Sequence, residues 1–177
     1  TTVDSPGHAK HHLALHDSQS GLLFVGDAVG VRLPDSGVLR PAAPPPDFDL
    51  DQALSSLAKF AARRPTGIAL AHYGLVPDPE TVCEEAEGIL RAWAEVAEKA
   101  WRAGEDIAAA LDVAFASDLD NIEPAQREKL ETPNGVHSNA PGARRRREPR
   151  HNAAPAPRGR RTRCGPRGCG SVCWPSA

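Results

Sequence analysis

The chain has 177 residues, 40% of them apolar and 25% charged, proportions that suit one globular domain of ordinary size and exclude a collagen-like, wholly disordered or many-domain chain. No apolar run approaches the ~20 residues that cross a bilayer as a helix, and the start lacks the charged-then-apolar order of a signal peptide, so no membrane partner and a cytoplasmic location are expected. The net charge of −2 divides sharply: residues 1–142 carry 11 Lys and Arg against 22 Asp and Glu, whereas residues 143–177 carry 10 Arg against Glu148 alone. An acidic body with a basic tail follows.

In chain order, Thr1-Thr2-Val3-Asp4 runs straight into the turn signal Ser5-Pro6-Gly7, and the chain holds no Met. Both features raise the expectation that a preceding portion is missing. His12 to His16 alternate with period 2, which places Leu13 and Leu15 on one face of a strand. Asp17 to Gly21 is turn chemistry, Leu22-Leu23-Phe24-Val25 is a short buried strand, and Gly26 ends it with Asp27 at the tip. The proline-rich stretch Pro41 to Pro46 excludes a helix or a central strand.

A helix is predicted from Asp49, with Gln52 completing a capping box, Leu50, Leu54, Leu57 and Ala61 as its apolar stripe, and Pro65 beyond its end. Thr66-Gly67 turns the chain into the apolar strand Ile68–Ala71, which ends at His72. Asp78-Pro79 opens a second helix, striped by Val82, Ala86, Leu90, Trp93, Ala97 and Trp101 and ended by Gly104. Ile107, Ala108, Leu111 and Phe115 mark a third. Alternation of strands and helices predicts an α/β layered fold. The expected organisation is a body over 1–116 including a helical extension, a linker over 117–142, and a disordered Arg/Pro/Gly-rich tail over 143–177.

His8, Asp27 and His72 each stand at a turn or strand end, and each is a nitrogen or oxygen donor that suits zinc. Taken singly, each reads more readily as a surface histidine or a capping aspartate. Three of them at successive strand tips point to one sheet edge, because a layered sheet gathers such tips. A shared site requires their ligand atoms to lie within about 8 Å of one another, given a metal–metal spacing of roughly 3.5–4 Å.

The order Ser5-Pro6-Gly7-His8-Ala9-Lys10-His11-His12, then Leu23-Phe24-Val25-Gly26-Asp27-Ala28, then Ala71-His72-Tyr73-Gly74 resembles the later motifs of the metallo-β-lactamase-fold hydrolases, over roughly residues 1–115. The resemblance implies the C-terminal half of a four-layer αββα sandwich followed by a small helical extension. It implies two zinc ions, His8 on the first, His72 on the second, and Asp27 bridging both as the catalytic carboxylate. It also implies hydrolysis of an ester, thioester or lactone of a small-molecule substrate, as in hydroxyacylglutathione hydrolases, by a metal-bound water of lowered pKa. His11 falls where many members have Gly, and His12 where many have a second His; both are candidates to support the ligands from behind or are ordinary exposed residues. Tyr73 orients a ligand or packs in the core.

The family's His-x-His-x-Asp-His, which supplies further ligands, is absent from the chain. By itself the chain is therefore expected to hold one metal loosely at best, to lack turnover, and to expose the apolar sheet face that the other half covers. The alternative is a non-catalytic truncated product or a metal-free interaction protein. In the tail, Cys164, Cys169 and Cys173 lack a fourth partner at zinc spacing, and the arginines predict no specific nucleic-acid partner. The tail's Arg, Pro, Gly, Ala and Cys match a GC-rich gene read out of frame.

Overall fold

A computed structural model describes residues 1–33, 36–44, 47–72, 74–120, 122 and 140. The predicted tail and Tyr73 lie outside these described residues. Seven strands form in chain order: β1 (Thr2–Asp4), β2 (Leu13–His16), β3 (Leu22–Gly26), β4 (Val31–Arg32), β5 (Leu39–Arg40), β6 (Gly67–Leu70) and β7 (Leu75–Val76). Three α-helices accompany them: α1 (Leu50–Ala62), α2 (Pro79–Ala103) and α3 (Ile107–Ala114).

β4 and β5 make a separate hairpin, while the other five strands form one sheet in the order β1-β2-β3-β6-β7. β1, β2 and β3 run antiparallel in sequence, β3 and β6 are parallel, and β7 returns antiparallel beside β6. A parallel pair needs a crossover, and α1 supplies it. Helices and strands thus build the mixed α/β architecture of the sequence reading. The strands absent from that reading, β1, β4, β5 and β7, span only two or three residues each, too few to display a period.

Alternation along the strands decides what is buried. Val3, Ala14, Leu23, Val25, Ile68 and Val76 point to one face and join Leu57 and Phe60 of α1 and Val82, Ala86 and Leu90 of α2 in one core. Each fully buried side chain of this size contributes roughly 1.5–3 kcal/mol. The opposite face carries apolar residues that stay largely exposed. Leu15 pairs with Phe24, Phe24 with Ala69, and Ala69 with Leu75, so these four residues form one cross-strand apolar row. Leu15, Phe24 and Leu75 in that row are 54%, 47% and 56% exposed.

Two details of the helices depart from the sequence reading. Asp49 caps α1 by accepting from the Gln52 backbone N–H at 3.0 Å, but the Gln52 side chain donates to the Asp49 carboxylate rather than closing a capping box. The Asp49 N–H that a capping box would satisfy donates instead to the Gly7 carbonyl at 2.9 Å. The buried face of α1 is also rotated: Leu50, Ala53, Ser56, Leu57 and Phe60 are buried, whereas Leu54 and Ala61 are only partly so. Small residues at 53 and 56 allow the His8 loop to lie against the helix.

Asp78 caps α2, and Val82, Ala86, Leu90, Trp93, Ala97 and Ala100 are buried along it. Trp101 is the exception at 47% exposed. Eight residues advance a helix by two turns and about 80° more, which carries Trp101 off the face of Trp93. Trp93 stacks on Phe115 with ring centroids 5.4 Å apart and anchors α3. Ala140, within the predicted linker, is buried beside Trp93 and Leu111. Among the described residues no helix is long and apolar enough to cross a membrane.

Cys83 is buried in the first turns of α2 as a free thiol, and burial pushes its pKa up to about 11. A thiol with that pKa holds about a hundredfold less thiolate, the reactive form, near neutral pH than an exposed one. Alkylation with iodoacetamide at pH 8 should therefore spare Cys83 in the folded chain and modify it fully in guanidinium. Peptide mass spectrometry reads the result; rapid native labelling of Cys83 would mean that α2 does not rest on the core as described.

Candidate metal centre

Strand direction brings the three donors together. β1 and β3 are both antiparallel to β2, and β6 is parallel to β3, so the C-terminal ends of β1, β3 and β6 share one sheet edge. The β1–β2 loop carrying His8 leaves from the first end, Asp27 follows the second, and His72 follows the third. The outer carboxyl ends of strands are where open α/β sheets place ligands.

Backbone contacts fix each tip. In the His8 loop, Gly7 has φ +139°, and a Cβ there would lie 2.4 Å from the Cα and N of Ala53. That closeness lets Asp49 N–H reach the Gly7 carbonyl, and Ser56 Oγ donates to the Pro6 carbonyl at 2.7 Å. Beside Asp27, the Gly26 carbonyl accepts from Ala71 N–H at 3.1 Å, which ties the β3 tip to the segment leading into His72. Gly30 N–H donates to the Asp27 carbonyl at 3.0 Å and closes the turn.

The side chains then face one another. His8 Nδ1 lies 2.9 Å from the Ala42 carbonyl oxygen. A carbonyl only accepts, so Nδ1 carries the proton and Nε2 presents a lone pair. That Nε2 lies 4.0 Å from Asp27 Oδ2, and His72 Nε2 lies 3.6 Å from Asp27 Oδ1. Both separations exceed hydrogen-bonding reach. Asp27 Oδ1 is buried with no hydrogen-bond partner among the described residues. A carboxylate oxygen left so in a protein interior is expensive unless a cation answers it.

The donor chemistry therefore fits a divalent cation, but only in part. Among the described residues, no group of three His, Cys, Asp or Glu side chains is arranged to hold one metal ion. Instead each Asp27 oxygen has one imidazole beside it. His72 is half exposed, with 51% of its side chain accessible, whereas His8 and Asp27 are mostly covered at 20% and 31%. His11 is exposed, and His12 beside it is partly buried within the cluster. The His12 ring meets the His8 ring edge-on with centroids 5.8 Å apart. Burial, and then the neighbouring His8 ring, hold the His12 pKa below its usual value.

Several supporting groups escaped the sequence reading. Ser5, read there only as part of a turn, is fully buried with its Oγ 2.8 Å from His12 Nδ1. Ser56 was detectable in principle, as a polar residue on the apolar side of a helix. The Ala42 carbonyl carries no signal in sequence, since its conformation matters and its side chain does not.

The sheet and the helices packed on it reproduce part of the fold of a solved metallo-β-lactamase superfamily protein. A solved structure of an archaeal metallo-β-lactamase superfamily protein from Sulfolobus tokodaii superposes with a TM-score of 0.57 at 24% identity, covering 81% of this chain and 44% of that one. A metallo-β-lactamase family protein from Thermus thermophilus is similar at a TM-score of 0.48 and 21% identity, with 80% of this chain and 41% of that one covered. The chain thus spans less than half the length of these structures. No protein-family model and no curated protein matches the sequence.

Proposed function

We propose that this chain supplies part of the metal centre of a zinc-dependent hydrolase acting on an ester, thioester or lactone of a small molecule. The observation that carries the reading is Asp27 Oδ1, buried without a hydrogen bond among the described residues and 3.6 Å from His72 Nε2, while His8 Nε2 stands 4.0 Å from the other oxygen. Zinc bound there supplies Lewis acidity and a water of lowered pKa. The chain's own residues orient the donors. The Ala42 carbonyl holds His8 in the Nδ1–H tautomer, so that its lone pair faces the site. Asp27 offers one oxygen to each side and adds a single negative charge, while two neutral imidazoles add none. A catalytic zinc takes about three protein ligands and a water, so two ions need more donors than His8, Asp27 and His72 provide. The remainder come from outside these three residues.

A second reading, a metal-free interaction protein, draws on the exposed row of Leu15, Phe24 and Leu75. Zinc content after dialysis, with turnover of a thioester and a lactone, separates the two. The measurement compares this chain, its His8→Ala and His72→Ala variants, and the longest polypeptide its gene encodes. The expected result is weak, substoichiometric zinc in the chain, less in each variant, and full loading with turnover only in the longer polypeptide. Zinc binding that ignores both substitutions would refute the metal reading. Two tightly held zinc ions and turnover by the chain alone would mean that other groups, such as His11, His12 and Asp17, complete the centre.

A further inference from the structure

We infer that His12, latched by Ser5, is a positioning residue that sets the spacing between His8 and Asp27; the role rests on the metal-centre reading of those two residues. Ser5 closes the loop from residue 5 to residue 12 at two points. Its N–H donates to the His12 carbonyl at 3.1 Å, and its Oγ lies 2.8 Å from His12 Nδ1. The same hydroxyl is 3.5 Å from the His12 carbonyl, a marginal contact beside the short one. Which of the two donates depends on the ring's tautomer, and either way the hydroxyl and Nδ1 are joined. A fully buried hydroxyl committed to one ring nitrogen fixes the rotation of that ring.

What the ring does follows from what it touches. On one side it meets the His8 ring edge-on. On the other it occupies the space a side chain at Gly26 would need, since a Cβ there would lie 2.7 Å from His12 Nε2. The ring therefore stands between the loop that carries His8 and the peptide that precedes Asp27. Gly26 also has φ +54°, and its missing side chain is what admits the ring. His12 itself is not arranged as a third ligand: its Nδ1 is engaged by Ser5, and no three-donor group forms among the described residues. Groups behind metal ligands characteristically change affinity by 10–100-fold when removed.

Two variants separate the parts. Ser5→Ala removes the latch and keeps the ring; His12→Asn keeps an amide near the Nδ1 position and removes the wedge. Cobalt(II) serves as the probe, titrated into the chain and followed by its visible absorption, with thermal melting of the metal-free protein as control. The expected result is cobalt affinity about 10–100-fold lower in both variants, with altered band positions and a melting temperature within a few degrees of the original. Ser5→Thr, which keeps the hydroxyl, should restore most of the affinity. Unchanged affinity and bands beside a lowered melting temperature would overturn the inference and leave His12 as packing. If the original chain binds no cobalt, the metal reading fails by itself, and imidazole nitrogen NMR of the apo chain then decides. A His8 signal that stays a single Nδ1–H tautomer in both variants overturns the positioning role, whereas tautomer averaging in both sustains it.

Discussion

Gly7→Ala is expected to destabilise the chain by about 3 kcal/mol or more and to abolish metal binding even where the fold survives. The added Cβ would sit 2.4 Å from two backbone atoms of Ala53, and backbone in the first turns of a helix cannot swing aside as a side-chain tip can. The φ of +139° adds strain of about 1–3 kcal/mol for any residue with a Cβ. Relief requires the loop to lift from α1, which breaks the Asp49 N–H to Gly7 carbonyl bond and the Ser56 to Pro6 bond. Each is worth about 0.5–1.5 kcal/mol, and more if a buried partner is orphaned. For a domain of this size a loss of about 3 kcal/mol corresponds to roughly 6–12 °C in melting temperature, readable by circular dichroism. A drop of less than about 2 °C, under 1 kcal/mol on the same scale, would show that the loop does not rest on α1. Gly26→Ala makes the contrast, since its added Cβ would meet a side-chain ring, His12 Nε2 at 2.7 Å, rather than backbone, and a milder loss of stability is expected there.

How much of this was legible in the sequence depends on the length scale of each feature. β3 and β6 could be read because four or five consecutive residues are apolar, and the ends of α1 and α2 because Asp49, Asp78 and Gly104 carry cap chemistry. The two-residue strands could not be read, because pairing, not residue type, makes Leu75–Val76 a strand. His8, Asp27 and His72 were singled out through motif and position. Their meeting follows from strand directions, which local sequence does not contain. What stayed hidden is the support: a carbonyl at Ala42, a hydroxyl at Ser5, and the turn of α1 that buries Ala53 and Ser56. These act through backbone and through small residues, whose identities announce nothing.

The bare sheet face bears on the same question from another side. Leu15, Phe24 and Leu75 form a neutral row across the sheet. Sheets commonly cover such faces by packing a second sheet about 10 Å away. On the proposed reading the metal centre lies at the edge of this sheet, and among the described residues it is short of donors. Covering the face and completing the ligand set are therefore geometrically compatible demands on one partner surface.

Asp27→Asn should move stability and metal binding in opposite directions. In the metal-free chain Asp27 Oδ1 is buried with no hydrogen bond among the described residues and only His72 Nε2 near it at 3.6 Å, and Oδ2 looks at a lone pair on His8 Nε2 from 4.0 Å. An amide of the same shape leaves no cavity, removes the buried charge, and can turn its N–H toward His8 Nε2, where a donor is wanted. The expected gain is about 1 kcal/mol, or roughly 2–4 °C in melting temperature, measured at pH 8 with a chelator present. With zinc the sign reverses, because the variant has lost both the charge and the second oxygen. Zinc affinity by calorimetry should fall by about a hundredfold, so that added zinc raises the melting temperature of the original chain and leaves the variant unmoved. A residue whose neutralisation stabilises the empty protein and disables the loaded one is being kept for function at the expense of stability. Equal zinc affinity in the two proteins, or a variant that melts lower than the original in chelator, would remove Asp27 from the centre and leave its buried oxygen to be explained by packing alone.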